Sequence, residues 1–376
     1  MTNFAMKEQE IINHIAISRL HGMGTKNFRR LINEFNTTEN LVKAPASEIS
    51  KLPKIREDLV RGLKKELDFK EAEEIYRKET DQNTQVLAYL DPAYPSRLRR
   101  MADGPIVLYY RGSADLNAGR TVGIVGTRTP TPDGLLLTEQ LISQLLPYKV
   151  LTISGLAMGI DGASHKQSLE QGIPTVGVLG GGHDFIYPAN HKGLANQMLE
   201  NGGLLTEFVH DQKVVREHFP MRNRIIAGLS DALVVVESKQ KGGSMITAQL
   251  AFDYNRYVFA FPGKPFDEKS RGCNKLIKTH VASLMETADD IAEQLNWDVE
   301  SGQPAAAQGL LFSEITEDEM LIVDILREEG RVHVDKLSLL AKCRPGKLAN
   351  LLLELELKGM VQSLPGKLYR LKNRIN

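Results

Sequence analysis

The sequence predicts an α/β fold: an extended Rossmann-like parallel sheet domain, with a helical domain before it and a winged helix after it. Three observations carry this. Short apolar runs alternate with helical stretches between residues 121 and 261, and runs apolar on both faces suit strands covered by helices on both sides. Small residues, mostly glycine, stand where those runs end and the helices begin. Near residues 298–310 the composition turns small and polar, as linkers are, and a second periodic stretch follows. At 376 residues the chain is long enough for two to four domains. The expected boundaries are 1–80 (helical), 86–297 (sheet), 298–310 (linker) and 311–376 (winged helix).

Residues 1–80 read as helical because Ile11, Ile12, Ile15, Leu20, Phe28, Leu31, Ile32 and Phe35 recur at three- and four-residue steps. His21-Gly22-Met23-Gly24 makes a tight turn between the first two helices, and Leu52-Pro53-Lys54-Ile55 a second connection. The paired spacing resembles tandem helix–hairpin–helix (SAM-like) units, although the second turn has Pro and Lys where glycines are expected. From Val86 the period changes, with strand-like runs at 86–90 and 106–110. Further strands are expected at 121–125, 150–154, 175–179, 204–207, 232–237 and 257–261, with helices at 134–146, 160–171, 191–200, 223–229 and 245–254 between them. In the last domain Thr316 and Glu319 form a capping box. Helices at 335–341 and 345–358 follow, and a hairpin turning at Pro365-Gly366-Lys367 completes a winged helix. Basic residues crowd its end, while the leucines from Leu348 to Leu357 make its longest helix largely core. DNA contact and protein contact are both open for this domain.

Composition narrows the function. The hydrophobic fraction of 42% and charged fraction of 25% fit a soluble globular protein. No apolar run is long enough for a membrane helix, and the N-terminus has no secretory pattern, so a cytoplasmic location is expected. Cys273 and Cys343 are too few and too far apart for a zinc site. Formal net charge is zero, so a nucleic-acid site would have to come from local charge placement.

In an open parallel sheet, ligands bind beyond the C-terminal strand ends. Those ends read Gly123-Ile124-Val125-Gly126-Thr127-Arg128, Ser154-Gly155-Leu156-Ala157-Met158-Gly159-Ile160-Asp161, Gly180-Gly181-Gly182-His183-Asp184 and Gly242-Gly243-Ser244. Unpaired N–H groups at such helix starts attract anions. Four in one sheet point to phosphate. The chain lacks both the dinucleotide fingerprint GxGxxG and the Walker loop GxxxxGK[ST]. Instead Arg128 stands at the first turn, and Arg222-Asn223-Arg224 precedes the fifth strand. Guanidinium forks grip phosphate oxygens bidentately, and a row of such seats suits a polyanion better than one small nucleotide. Asp161 and His165 share a helix face, as a base and its orienter would, but the favoured account is an Asp that caps or charges the helix start and a His that satisfies a nearby backbone group. His183 and Asp184 lack a nucleophile or enough companions for a metal.

These segments resemble the DNA-processing protein A family (DprA, also called Smf). The matching stretches are GIVGTR (123–128), SGLAMGIDGASH (154–165), VLGGGHDFIYPANH (178–191), GGLLTE (202–207), FPMRNRIIAGLSDALVVVES (219–238), GGSMITAQLA (242–251) and VFAFPG (258–263). The resemblance implies a non-catalytic protein of natural transformation and DNA recombination, without cofactor or metal. It would hold incoming single-stranded DNA as a homodimer and help load the RecA recombinase onto it, including strands covered by single-strand-binding protein. It assigns DNA contact to Gly126, Thr127, Arg128, Ser154, Gly155, Arg222, Asn223, Arg224, Gly243 and Ser244, and dimer contact to the segment holding Leu276 and Ile277. The rival reading is an enzyme: nucleotide phosphoribohydrolases of the lysine-decarboxylase-like group share such a sheet. Their PGGxGTxxE stretch corresponds here to residues 241–248, which lack the glutamate. A nucleotide-sensing domain of the same group is the third option.

Overall fold

The computed structural model describes residues 6–298, 316–357, 360–364 and 366–371; most of the expected linker lies outside them. The chain forms two compact units, Met1–Glu300 and Ser301–Asn376.

The first unit is built on a nine-stranded sheet in the order β1-β2-β6-β5-β4-β3-β7-β8-β9. The strands are β1 (Gln85–Ala88), β2 (Val107–Gly112), β3 (Thr121–Val125), β4 (Leu151–Ser154), β5 (Thr175–Val178), β6 (Gly202–Thr206), β7 (Ala232–Val235), β8 (Tyr257–Ala260) and β9 (Ser283–Leu284). From β6 through to β9 neighbours are parallel, whereas β1 pairs antiparallel with β2 and β2 with β6. The early strand-like runs thus extend the main sheet. β9 escapes sequence reading because two residues carry no period.

All of β3, β4, β5 and β6 is buried, as their apolar composition demands. Helices Pro132–Leu145, Ile160–Glu170, His218–Leu229 and Gly243–Asp253 cover the sheet. The His218–Leu229 helix starts five residues before the expected start at 223; Pro220 falls in its first turn, where a missing N–H costs nothing. The strands progress outward from β3 to β6, then restart on its other side with β7. The crevice between β3 and β7 is therefore the topological switch point, the usual ligand position in such sheets.

The N-terminal helices share their core with the sheet. Ile15, Phe28 and Leu31 belong to one buried cluster with Val107, Tyr109 and Leu205. Phe28 meets Tyr89 edge-on at 5.8 Å, and the Arg29 guanidinium donates to the Met101 carbonyl at 2.5 Å. Arg97 clamps Asp231 bidentately at 2.8 and 2.7 Å, tying the stretch before β2 to the foot of β7.

The second unit has helices Glu317–Glu329, Val334–Leu340 and Pro345–Leu357, with strands β10 (Arg331–His333), β11 (Val361–Leu364) and β12 (Leu368–Leu371) in the order β10-β12-β11. The Thr316–Glu319 capping box forms. Its core holds Ile322, Leu326, Leu337, Leu348, Leu352 and Leu355. Leu353, expected in that core, is instead 57% exposed, because it falls on the outer face of its helix.

Candidate nucleic-acid interface

The site grows from the end of β3. Gly126 packs so close to Ile160 that a Cβ there would lie 2.5 Å from its side chain, so only glycine lets the end of β3 meet the start of the Ile160–Glu170 helix that follows β4. Thr127 then donates its N–H to the Glu237 carbonyl at 2.7 Å, and Thr131 caps the Pro132–Leu145 helix. The Glu237 carboxylate holds Thr131 twice, through N–H and hydroxyl, both at 2.9 Å. This pinned loop leaves Arg128 exposed. Its guanidinium lies over the Phe219 ring, 5.4 Å from the centroid, and no ion pair engages it among the described residues.

The loop after β4 is braced from within. Ser154 donates its hydroxyl to the Ile124 carbonyl at 2.5 Å, and the Gly155 N–H donates to Asp161 at 3.1 Å. Arg222, only 4% exposed, donates to the carbonyls of Gly155 and, at 2.7 Å, of Val178. Burial raises the Asp161 carboxyl pKa, opposed chiefly by the charge of Arg222. Burial also pulls Arg222 down to about 10. Arg224 turns the other way, pairing with Glu207 and donating to the Asp103 carbonyl. So Asp161 and Glu207, the carboxylates at the neighbouring strand ends, are served by Arg222 and Arg224 rather than by Arg128.

Beyond β7, the Gly243–Asp253 helix begins at an exposed Gly243, with Gly242 as its N-cap residue and no side-chain cap. Ser244 donates to the Ser238 hydroxyl at 2.8 Å and fixes that turn. A cavity of about 630 Å³ lies in the β3–β7 crevice and brings together Gly126, Thr127, Arg128, Arg222, Asn223, Gly243 and Ser244. Ser154 and Gly155 sit behind it and Arg224 outside it. The structure adds Phe219, Lys239, Lys241 and Arg271 to the wall. Lys239 is paired with Glu268 at 3.1 Å, while Lys241 and Arg271 are exposed and form no ion pair among the described residues. Lys239 and Lys241 both precede the glycine pair in the sequence. Arg271 arrives only through the fold.

Asp161 and His165 do not form a working pair. His165 is buried with its Nδ1 2.7 Å from the Thr175 hydroxyl, and burial pulls its pKa down to about 3, keeping it neutral. Among the described residues no group of three or more His, Cys, Asp or Glu side chains is placed to hold a metal, and no helix is long and apolar enough to cross a membrane.

Leu276 needs a correction. In the Arg271–Lys278 helix it is 3% exposed and belongs, with Cys273, to the main core. The helical period turns both inward, so Leu276 packs within its own unit. Ile277 is half-buried against that core, and Leu284 on β9 is 49% exposed.

The family model described as DNA recombination-mediator protein A matches residues 85–296, and that of the DprA winged helix domain residues 301–367. The DNA processing protein DprA of Bacillus subtilis (strain 168) is 42% identical over 203 residues, 54% of this chain and 68% of its own. Protein Smf of Synechocystis sp. is 34% identical over 276 residues, 72% of this chain and 69% of its own. The X-ray structure of DNA processing protein A from Streptococcus pneumoniae superposes with a TM-score of 0.64 at 30% identity, over 78% of this chain and 99% of that one. A DNA processing protein A structure from Helicobacter pylori, reported for its single-stranded DNA binding mode, gives 0.52 at 27% identity, over 57% and 97%.

Proposed function

The chain belongs to the DNA recombination-mediator protein A family, and from that premise we propose that the β3–β7 cavity holds single-stranded DNA by its phosphates during transformation and recombination. One observation carries the reading: Arg128 is exposed, unpaired among the described residues, and lies over the face of Phe219 at the mouth of a cation-lined cavity. A phosphate would take the guanidinium fork, with the uncapped helix start at Gly243 and the ammonium of Lys241 beside it. A base would lie on the outer face of the Arg128 guanidinium plane, since Arg128 and Arg222 already stand over the Phe219 ring at 5.4 and 5.9 Å. That last contact selects single strands, because bases in a duplex are already stacked on each other.

Arg222 and Arg224 then act as positioning residues that shape the strand ends, while Gly126, Thr127, Asn223, Gly243 and Ser244 line the seat. The reading is of binding without catalysis. It is supported by the engagement of Asp161 with Gly155 and Arg222, by the buried neutral His165, and by residues 241–248, which lack a glutamate where phosphoribohydrolases carry theirs. Handing the strand to the RecA recombinase, clearing single-strand-binding protein, homodimerisation and a cytoplasmic setting complete the proposal.

Titrating labelled oligonucleotides tests it. Single strands should bind well above duplex and mononucleotide, with little sequence preference and no product formed. With roughly three to five phosphates neutralised, log K should fall against log salt with a slope of about −2 to −3.5. Equal affinity for duplex, or release of a free base, would overturn it.

A further inference from the structure

The glycine-rich loop after β5 is not part of the β3–β7 cavity, yet it borders a second one of about 670 Å³. Its wall carries three cations, Arg111, Lys192 and Lys213, against one carboxylate, Asp184. Arg111 donates to the hydroxyl of Thr84 at 2.7 Å and to Gln82, both neutral, and forms no ion pair among the described residues. Lys192 and Lys213 are exposed and likewise unpaired among them. His183, buried in the wall, cannot add or balance charge near neutral pH, because burial lowers its pKa to about 3.

This cavity is preformed. A Cβ on Gly182 would lie 2.0 Å from the Val209 carbonyl oxygen, so the loop can approach the 209–213 segment only as glycine. The Gly182 N–H donates to the Gln212 carbonyl at 2.8 Å and the Asp184 N–H to that of His210 at 3.1 Å, which fixes the backbone on both sides of the cavity. The two cavities adjoin through aromatic rings. Tyr187 lines the second and is 53% exposed, and its ring stands 5.8 Å from that of Phe219, which lines the first.

We propose that the second cavity is a further phosphate seat on the same strand, reached across the Phe219–Tyr187 ring pair, with Arg111, Lys192 and Lys213 as its cations. The strand would then run along the sheet from the β3–β7 crevice toward β6. This rests on the reading that the first cavity binds single-stranded DNA. The same chemistry would also suit the phosphate of a free nucleotide, and the experiment separates the two sources.

The test uses the full chain with both lysines reversed, Lys192→Glu with Lys213→Glu, and a Gln pair at the same positions should the Glu pair unfold. Oligothymidylates of increasing length and thymidine 5′-monophosphate are the probes. Binding of a 15-mer should weaken about tenfold, and its salt slope should shrink by about 1.4, or 0.7 for each of two phosphates. The loss should diminish as the oligomer shortens. A 15-mer bound by the variant with unchanged affinity and slope overturns the proposal, and so does monophosphate binding that the variant loses while its 15-mer binding persists. Should the unmodified protein bind no oligomer, the first-cavity reading falls and this one with it. Should Arg128→Ala alone abolish binding while the lysine pair has no effect at any length, only this inference falls.

Discussion

Three arginines read alike in the sequence, and the fold gives them different work. Arg128 is exposed beside a cavity, whereas Arg222 is 4% exposed among the Gly155 and Val178 carbonyls. Arg128→Ala should therefore melt like the unmodified protein and lose about 1.5–3 kcal/mol of single-strand affinity, the worth of a charge-assisted hydrogen bond. Arg128→Lys should recover part, since a point charge lacks the fork. Arg222→Ala should do the reverse in a thermal melt, losing about 3–5 kcal/mol of stability because it strands the buried Asp161 carboxylate. If Arg128→Ala melts early instead, with a binding loss that tracks its unfolded fraction, Arg128 is a brace. The turn at Arg128 was legible because glycine, threonine and arginine follow a strand-like run. The inward turn of Arg222 was not. Its environment comes from β4 and β5, more than 40 residues away along the chain. Phe219 went unread for a similar reason: an aromatic before a helix reads as core until the fold sets a cation over it.

At the scale of single elements, the Arg271–Lys278 helix shows what periodicity leaves undecided. Its apolar residues fit either a partner or its own sheet, and the structure buries Leu276 under the sheet while Ile277 stays half-buried. Leu276→Ala should thus cost about 2–5 kcal/mol of stability in urea unfolding. Ile277→Glu is the cleaner test of the proposed homodimer, and sedimentation should show a folded monomer. A dimer that survives it, or an unmodified protein that is already monomeric, removes this helix from the interface. The layers around β5 and β6 make a second prediction, through His165 against Thr175 and His183 against the Leu204 carbonyl. Burial, the main cause, lowers both to about 3, against about 6.5 in the unfolded chain. A depressed folded pKa means that below about pH 6.5 the unfolded state takes protons the folded state refuses. Their contribution is present above pH 6.5 and fades as pH falls toward 3. Urea melts should lose about 2 kcal/mol per histidine between pH 7 and 5. His165→Gln should flatten that slope by one histidine's share, and an unchanged slope would show that His165 titrates as it does in water.

Over the whole molecule, zero formal charge conceals a basic site, because Arg128, Lys239, Lys241 and Arg271 are separated by up to 143 positions in the chain and meet only at the switch point. The alternating strands and helices made that crevice foreseeable, since a sheet wound outward in two directions opens at its centre. The strands β1 and β2 were expected, but their antiparallel pairing and the core they share with the N-terminal helices were not foreseeable, because packing partners leave no period of their own. The same logic sets the final prediction. The Met1–Glu300 and Ser301–Asn376 units have separate hydrophobic cores, one around the nine-stranded sheet and one around Ile322, Leu337 and Leu352. The residues lining both proposed phosphate seats belong to the first unit alone. A chain ending at Glu300 should fold, melt cooperatively, and bind a short oligothymidylate with the affinity and salt slope of the full chain. The full chain should show a second calorimetric transition that the truncated one lacks, from a core small enough to melt at a lower temperature. A truncated chain whose salt slope falls by about 0.7 or more would mean that the winged-helix unit holds at least one phosphate of the same strand. An unchanged slope would leave that unit to a duplex or to a protein partner, and a duplex titration of the full chain against the truncated one would tell these apart.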